Sequence, residues 1–385
     1  MNKIGVLAPQ PVLPPEYQYY RDIITPVHNR LAQMSLDDIW KSLPPLETGP
    51  GGTRYAIFNP PGITDPEQLK SLHTILAPHT AQNGRGAQWG ARIAYVIGAI
   101  KKHSNVDVRV LSLPSTTSRW ARGEKNPTKS HVTNMNAFNV RELRQIAEGD
   151  NTPYALRHAA IVDKIGATSV GGFGMSMGGS ILMSDVKYIA DNGIAKVTDF
   201  TCIDPATLHG DTTKNKMKLN YLKNIKNFQN AVLDSALPSY TIAQNARNSS
   251  FIRQAFGSLG AERRDRKIPE IVAQREGMTH GNFQLQLHEF TKAYPDVAVG
   301  VGLGKDGGIT ELDDELSIGV NTKIYDDLPY GHAITNHLGL FSILTALTFQ
   351  YGKDLRAVRE DHHYIQPLRD ELIQYRDTLG MIKED

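Results

Sequence analysis

A chain of 385 residues exceeds what one hydrophobic core usually serves, ~250–300 residues, so a large domain carrying an insertion and extensions is expected. Its 42 Lys plus Arg nearly balance 40 Asp plus Glu, a formal charge of +2 that gives no electrostatic case for nucleic acid or an anionic membrane. The lone cysteine, Cys202, excludes an intrachain disulfide and any zinc site built on cysteines.

Residues 1–52 hold eight of the 21 prolines, with a short helix expected between Ile24 and Trp40. The segment reads as a proline-rich arm packed over the main domain. No apolar run near the N-terminus is long enough for a signal peptide. The longest apolar stretches, around Ala91–Ile100 and Leu338–Phe349, fall well short of the ~18 apolar residues of a membrane span. A soluble, cytoplasmic protein is the expectation, with secretion by a route lacking an N-terminal signal left open.

From residue 53 the pattern alternates. Arg54–Asn59 reads as a strand that stops at Pro60-Pro61-Gly62, Gly90–His103 as a helix, and Val106–Leu113 as a strand ending at Pro114. Tyr154–Lys164 is helical, Ser169–Gly174 a glycine-rich strand, Ser180–Asn192 a helix and Lys196–Ile203 a strand. Residues 206–294 break the rhythm with helical segments and lysines at 214, 216, 218, 223 and 226. The lysines are read mainly as a solvated helix face, with steering of an anionic substrate as the alternative. Strands return at Val297–Leu303 and Thr322–Asp326, followed by a long apolar helix, Asn336–Tyr351. Such alternation predicts an α/β fold: a mostly parallel sheet with helices on both faces. The core is expected to comprise 53–205 and 295–352, with 206–294 a helical cap insertion and 353–385 a charged helical tail.

The strongest chemical signal is Gly172-Phe173-Gly174-Met175-Ser176-Met177-Gly178-Gly179. A strand passing straight into a helix through Gly-x-Ser-x-Gly forces the serine into a strained turn that lifts its Oγ above the sheet. The next amide, Met177, points at the same spot, and the helix N-terminus favours a developing oxyanion. The bland alternative is a helix N-cap serine after a glycine-rich strand end.

Ile161–Ile181 (IVDKIGATSVGGFGMSMGGSI) resembles the nucleophile region of the α/β-hydrolase superfamily, in the branch with small esterases, lipases, cofactor-free haloperoxidases and C–C bond hydrolases. The resemblance spans roughly 54–350, and Met175 stands where the nearest family form has His. It implies a serine hydrolase using no cofactor and no metal, with a small-molecule acyl substrate. A serine needs a histidine base held by a carboxylate, in the chain order Ser, acid, His.

The turn Gly304-Lys305-Asp306-Gly307 after a strand is similar to the family's acid turn, and Tyr330-Gly331-His332-Ala333 resembles its Gly-His pair. The expected triad is therefore Ser176, Asp306 and His332, with Asp204 at the end of the preceding strand as rival acid. Asp313 and Asp314 read as helix caps, His337 as packing, and His362-His363 as a solvated face. Pro60-Pro61-Gly62-Ile63 resembles the oxyanion-hole loop, and with no N–H on either proline the expected donors are Met177 and Ile63, or Gly62 in its place. An acyltransferase, a perhydrolase with the same triad, and a non-catalytic binding protein on the same scaffold remain open alternatives.

Overall fold

The computed structural model describes residues 44–60, 62–79, 107–114, 138–206, 269–280, 283–304 and 321–328. Eight strands form one sheet: β1 (Glu47–Thr48), β2 (Arg54–Phe58), β3 (His73–His79), β4 (Val108–Pro114), β5 (Ser169–Met175), β6 (Lys196–Ile203), β7 (Ala298–Gly304) and β8 (Thr322–Leu328). Their order across the sheet is β1-β2-β4-β3-β5-β6-β7-β8. β2 runs antiparallel to β4, whereas β3 to β8 are mutually parallel. The carboxyl ends of these six strands therefore share one edge of the sheet.

Six helices accompany the strands among the described residues: α1 (Pro66–Ser71), α2 (Val140–Ala147), α3 (Thr152–Lys164), α4 (Met177–Asp191), α5 (Pro269–Gly277) and α6 (Phe283–Ala293). Local chemistry starts several of them. Asp65 caps α1 ahead of Pro66, and Asn139 and Glu142 form a reciprocal capping box at α2.

Strand register sorts the sheet's side chains into two faces, because successive residues point to opposite sides. Leu76, Leu111, Val170, Phe200, Cys202, Val299 and Val301 lie on one face and share a buried core with Leu182, Met183 and Val186 of α4 and Ile161 and Val162 of α3. The other face carries Ile75, Val110, Phe173 and Ile203, which are also buried. The helices expected at 90–103 and 336–351 lie outside the described residues.

Three differences from the sequence reading matter for the site. The strand β3, with helix α1 before it, is an element that the alternating pattern did not reveal. The helix after the glycine-rich strand begins at Met177, three residues earlier than expected, despite Gly178 and Gly179. Finally, α6 belongs to the core: Phe283, Leu287 and Phe290 are in the main buried cluster, and Phe290 meets Phe200 of β6 edge to face at 5.5 Å. Residues 283–293, expected within the cap insertion, thus pack in the core. Their amphipathic helix buries an apolar face against the sheet, where the aromatic pair adds to the burial.

Candidate active site

In a parallel α/β sheet, ligands bind beyond the carboxyl ends of the strands where the connections reverse direction. Here β3 connects leftward to β4, while β5 connects rightward to β6, so the reversal falls between β3 and β5. The residue that follows β5 is Ser176. The switch point and the Gly-x-Ser-x-Gly motif, two independent arguments, select the same position.

Ser176 adopts φ 52° and ψ −129°, a conformation that non-glycine side chains rarely take and that costs of order 1–3 kcal/mol. Three backbone hydrogen bonds hold it there. Its own amide donates to Ile203 O across β6 at 2.9 Å, and its carbonyl accepts from Gly179 and Ser180 at 3.0 and 3.3 Å. Although Ser176 occupies the N-cap position of α4, its side chain makes no capping hydrogen bond. The bland reading needs that bond, since a capping serine satisfies an amide of the first turn. Met177 follows as the first helical residue, its side chain 1 % exposed and its amide among those with no partner inside the helix.

Close approach explains the first glycine of the motif. A Cβ on Gly174 would lie 2.5 Å from Gly178 O and 2.8 Å from Gly179 Cα, both backbone atoms with nowhere to go. Gly179 is different: its nearest neighbours would be Pro205 Cβ at 3.4 Å and Gly174 O at 3.5 Å, ordinary contact. Gly174→Ala is therefore expected to destabilise the protein by about 1–3 kcal/mol through overpacking. By displacing the serine it should also lower turnover ~10²-fold, the usual cost of a 1 Å misplacement. Gly179→Ala should leave stability unchanged or raise it by up to ~1 kcal/mol through helix propensity. Thermal melts of the two variants check this contrast, and equal destabilisation would contradict it.

The oxyanion-loop expectation requires correction. β2 is antiparallel to β4, and Phe58 pairs with Val110 near the start of β4. The Pro60–Ile63 loop therefore leaves the sheet at its amino edge, opposite Ser176. Gly62 has φ 86°, and the Ile63 amide donates back to Pro60 O at 3.4 Å, closing a turn of the kind that needs a positive φ at its third residue. Neither Ile63 nor Gly62 is placed to face Ser176. The strand that ends beside it is β3: Leu76 pairs with Gly172, which brings His79 level with Met175. β3 therefore ends, at His79, on the same edge as Ser176.

Asp306 and His332 lie outside the described residues. β7 ends at Gly304 and β8 at Leu328, both on the carboxyl edge, two and four residues before these positions. Asp204 follows β6 directly. It is fully buried, has φ 45°, and its amide donates to Gly302 O at 2.7 Å. Ser176 and Asp204 are the two non-glycine residues with positive φ among the described residues, and they sit at adjacent strand ends.

A second group with the residue types of a triad lies at the opposite, amino edge. His73 Nδ1 is 2.9 Å from Ser169 Oγ, and its Nε2 is 3.1 Å from Asp199 Oδ1, the latter approach lacking hydrogen-bond alignment. Gly171 makes room for it, since a Cβ there would lie 2.7 Å from His73 Nε2. Ser169 begins a strand and precedes no helix N-terminus, so no oxyanion donors converge on it. Cys202 is likewise no nucleophile: burial pushes its thiol far up, and its Sγ lies 3.5 Å from Gly179 O.

Beside Met177 lies a polar network that the sequence reading missed. The Tyr154 hydroxyl donates to Glu270 Oε1 at 2.6 Å, and Gln274 Nε2 donates to the same hydroxyl. Nearby, His158 Nδ1 and Asp185 Oδ2 pair at 2.8 Å between α3 and α4. No sequence signal marks these residues, because 116 positions separate Tyr154 from Glu270. Burial pushes the Glu270 carboxyl up to about 7, partly offset by the Tyr154 hydroxyl and the Arg157 charge. Burial also raises the Asp185 carboxyl.

Between an ordinary carboxylate pKa and about 7 the folded protein holds the Glu270 proton that the unfolded chain has released. Stability is therefore expected to fall as pH rises through that window, by roughly 3–4 kcal/mol at most from this group. Melting wild type and Glu270→Gln at pH 5 and pH 8 checks it: the variant should lose much of the pH dependence.

Among the described residues no group of three His, Cys, Asp or Glu is arranged to hold a metal, and no helix is long and apolar enough to cross a membrane. No protein-family model matches the sequence, and no curated protein does. Solved structures of similar fold include an esterase from Exiguobacterium antarcticum, at 12 % identity, covering 81 % of this chain and 100 % of that one with a TM-score of 0.45. A bromoperoxidase from Bacillus anthracis is 11 % identical over 80 % of this chain and 100 % of its own, TM-score 0.45. An N-acyl homoserine lactonase is 13 % identical over 83 % and 99 %, TM-score 0.43. At these identities and scores the likenesses bear on no residue's role.

Proposed function

We propose that this chain, with a nucleophile elbow on a mostly parallel sheet of the α/β-hydrolase kind, is a serine hydrolase that cleaves a carboxylic ester or related acyl bond. The observation that carries this reading is Ser176: strained, uncapped, and placed at the sheet's switch point in front of a helix N-terminus. A structural serine gains nothing from that conformation, whereas a nucleophile gains an exposed Oγ and an adjacent oxyanion donor.

In this mechanism His332 accepts the Ser176 proton as Oγ attacks the acyl carbon. The tetrahedral oxyanion is received by the Met177 amide and by a second amide from the chain that follows His79. Asp306 holds the imidazole in the correct tautomer, His332 returns the proton to the leaving group, and water then releases the acid through the same steps.

A fluorophosphonate probe tests the reading without knowledge of the substrate. Wild type should be labelled at Ser176, and Ser176→Ala should not. A folded wild type that resists labelling would remove the hydrolase assignment.

A further inference from the structure

Met177 does more than follow the nucleophile in sequence. Its buried side chain shares a cluster with Phe138, Ile146, Tyr154, Ile181, Ala206 and Ala273. Two of the walls of that cluster are helices joined by the buried network: Tyr154 opens α3, and Glu270 and Gln274 lie on α5. Tyr154, Glu270 and Gln274 are 5, 3 and 5 % exposed, and Glu270 Oε2 has no hydrogen-bond partner. α5 also presses directly on α2, so closely that a Cβ on Gly277 would collide with Ile146 O. The segment 207–268 runs straight into α5 in the sequence.

We propose that Tyr154 and Glu270 are positioning residues, a buried latch that ties α5 to α3, closes the cluster around the Met177 side chain and so holds the Met177 amide where an oxyanion would form. This rests on the hydrolase reading above and deepens it, because the latch acts through Met177 and touches no substrate. A well-packed apolar contact would dock the helix equally well. A hydroxyl-to-carboxyl bond is directional, so it fixes the rotation and height of α5 as well as its proximity.

The groups facing the carboxyl are few. From α3 come the Tyr154 hydroxyl and the Arg157 charge, the latter paired with Glu142 of α2 at 2.9 Å. From its own helix comes Gln274. The His158–Asp185 pair stands behind Tyr154, whose ring is 6.0 Å from that of His158. When the Glu270 proton is lost, a carboxylate is left buried with one oxygen unpartnered, and the docking loosens.

Tyr154→Phe removes the bond and keeps the ring; Glu270→Gln keeps an acceptor for Tyr154 and removes the ionisation. With a p-nitrophenyl ester, Tyr154→Phe should lower kcat ~10-fold with KM within about twofold of wild type, a part of the ~10²-fold that a 1 Å misplacement costs. The ratio of Glu270→Gln kcat to wild-type kcat should rise as pH passes about 7, since the ionisation of the His332 base is common to both and cancels. Amide hydrogen exchange across Met177–Ile181 gives a readout that needs no activity: it should be faster in Tyr154→Phe than in wild type at the same pH.

Unchanged exchange in Tyr154→Phe would overturn the latch whatever the activity. A wild-type kcat and pH profile in both variants would do the same while leaving Ser176 labelling, and so the hydrolase reading, intact. Absent labelling in a wild type whose exchange responds to Tyr154→Phe would instead remove the hydrolase reading and keep the docking.

Discussion

Replacing Ser176 with alanine is expected to abolish ester turnover, by about 10⁶-fold, with substrate binding retained. The size of the effect follows from the role: without the hydroxyl no acyl intermediate forms, and the base and the oxyanion donors have nothing to act on. The fold should survive, since three backbone bonds hold position 176 and the side chain caps nothing. Ser176→Gly gives a companion result. Glycine adopts φ 52° without penalty, so this variant should be as inactive as alanine yet melt higher, by roughly 1 kcal/mol of relieved strain. Steady-state kinetics and thermal melts check both halves, and an alanine variant with wild-type turnover would disprove the assignment.

Asp306→Asn should lower turnover by roughly 10⁴-fold, because an amide holds the imidazole in the wrong tautomer. Asp204→Asn should have a much smaller effect. Asp204 sits at φ 45° in a tight strand end, a conformation asparagine also accepts, so the variant keeps the backbone conformation. If Asp204→Asn proved the more damaging, the triad acid would move from the end of β7 to the end of β6, next to the residue that accepts the Ser176 amide.

Much of this architecture was legible before any coordinates. The strand Lys196–Ile203 appears with the bounds that its alternation suggested, and Arg54–Phe58, Thr152–Lys164 and Thr322–Leu328 lie within two residues of expectation. These elements are periodic, and their breakers stand at their ends. β3 was not legible. Its apolar run is four residues long and includes Pro78, which speaks against a central strand. The structure accommodates it because β3 pairs with β5 only as far as Leu76, leaving the proline beyond the rung where an N–H is needed on that side. With β3 unrecognised, the expected donor fell on the loop after β2, which leaves the sheet at the amino edge, away from Ser176.

The sequence by itself determined the α/β class and the place of the Gly-x-Ser-x-Gly turn between a strand and a helix, because both are local: a period of two against 3.6, and five consecutive residues whose first glycine answers to backbone contacts within one turn. Tertiary structure alone decided which strand end faces Ser176, since strand direction and order arise from pairing between segments far apart in the chain. It alone showed that the motif serine is strained and uncapped, that Phe283–Ala293 belongs to the core, and that Tyr154 meets Glu270 across 116 positions. Burial and hydrogen bonding between distant segments are properties of the packed chain, and no spacing along the sequence encodes them.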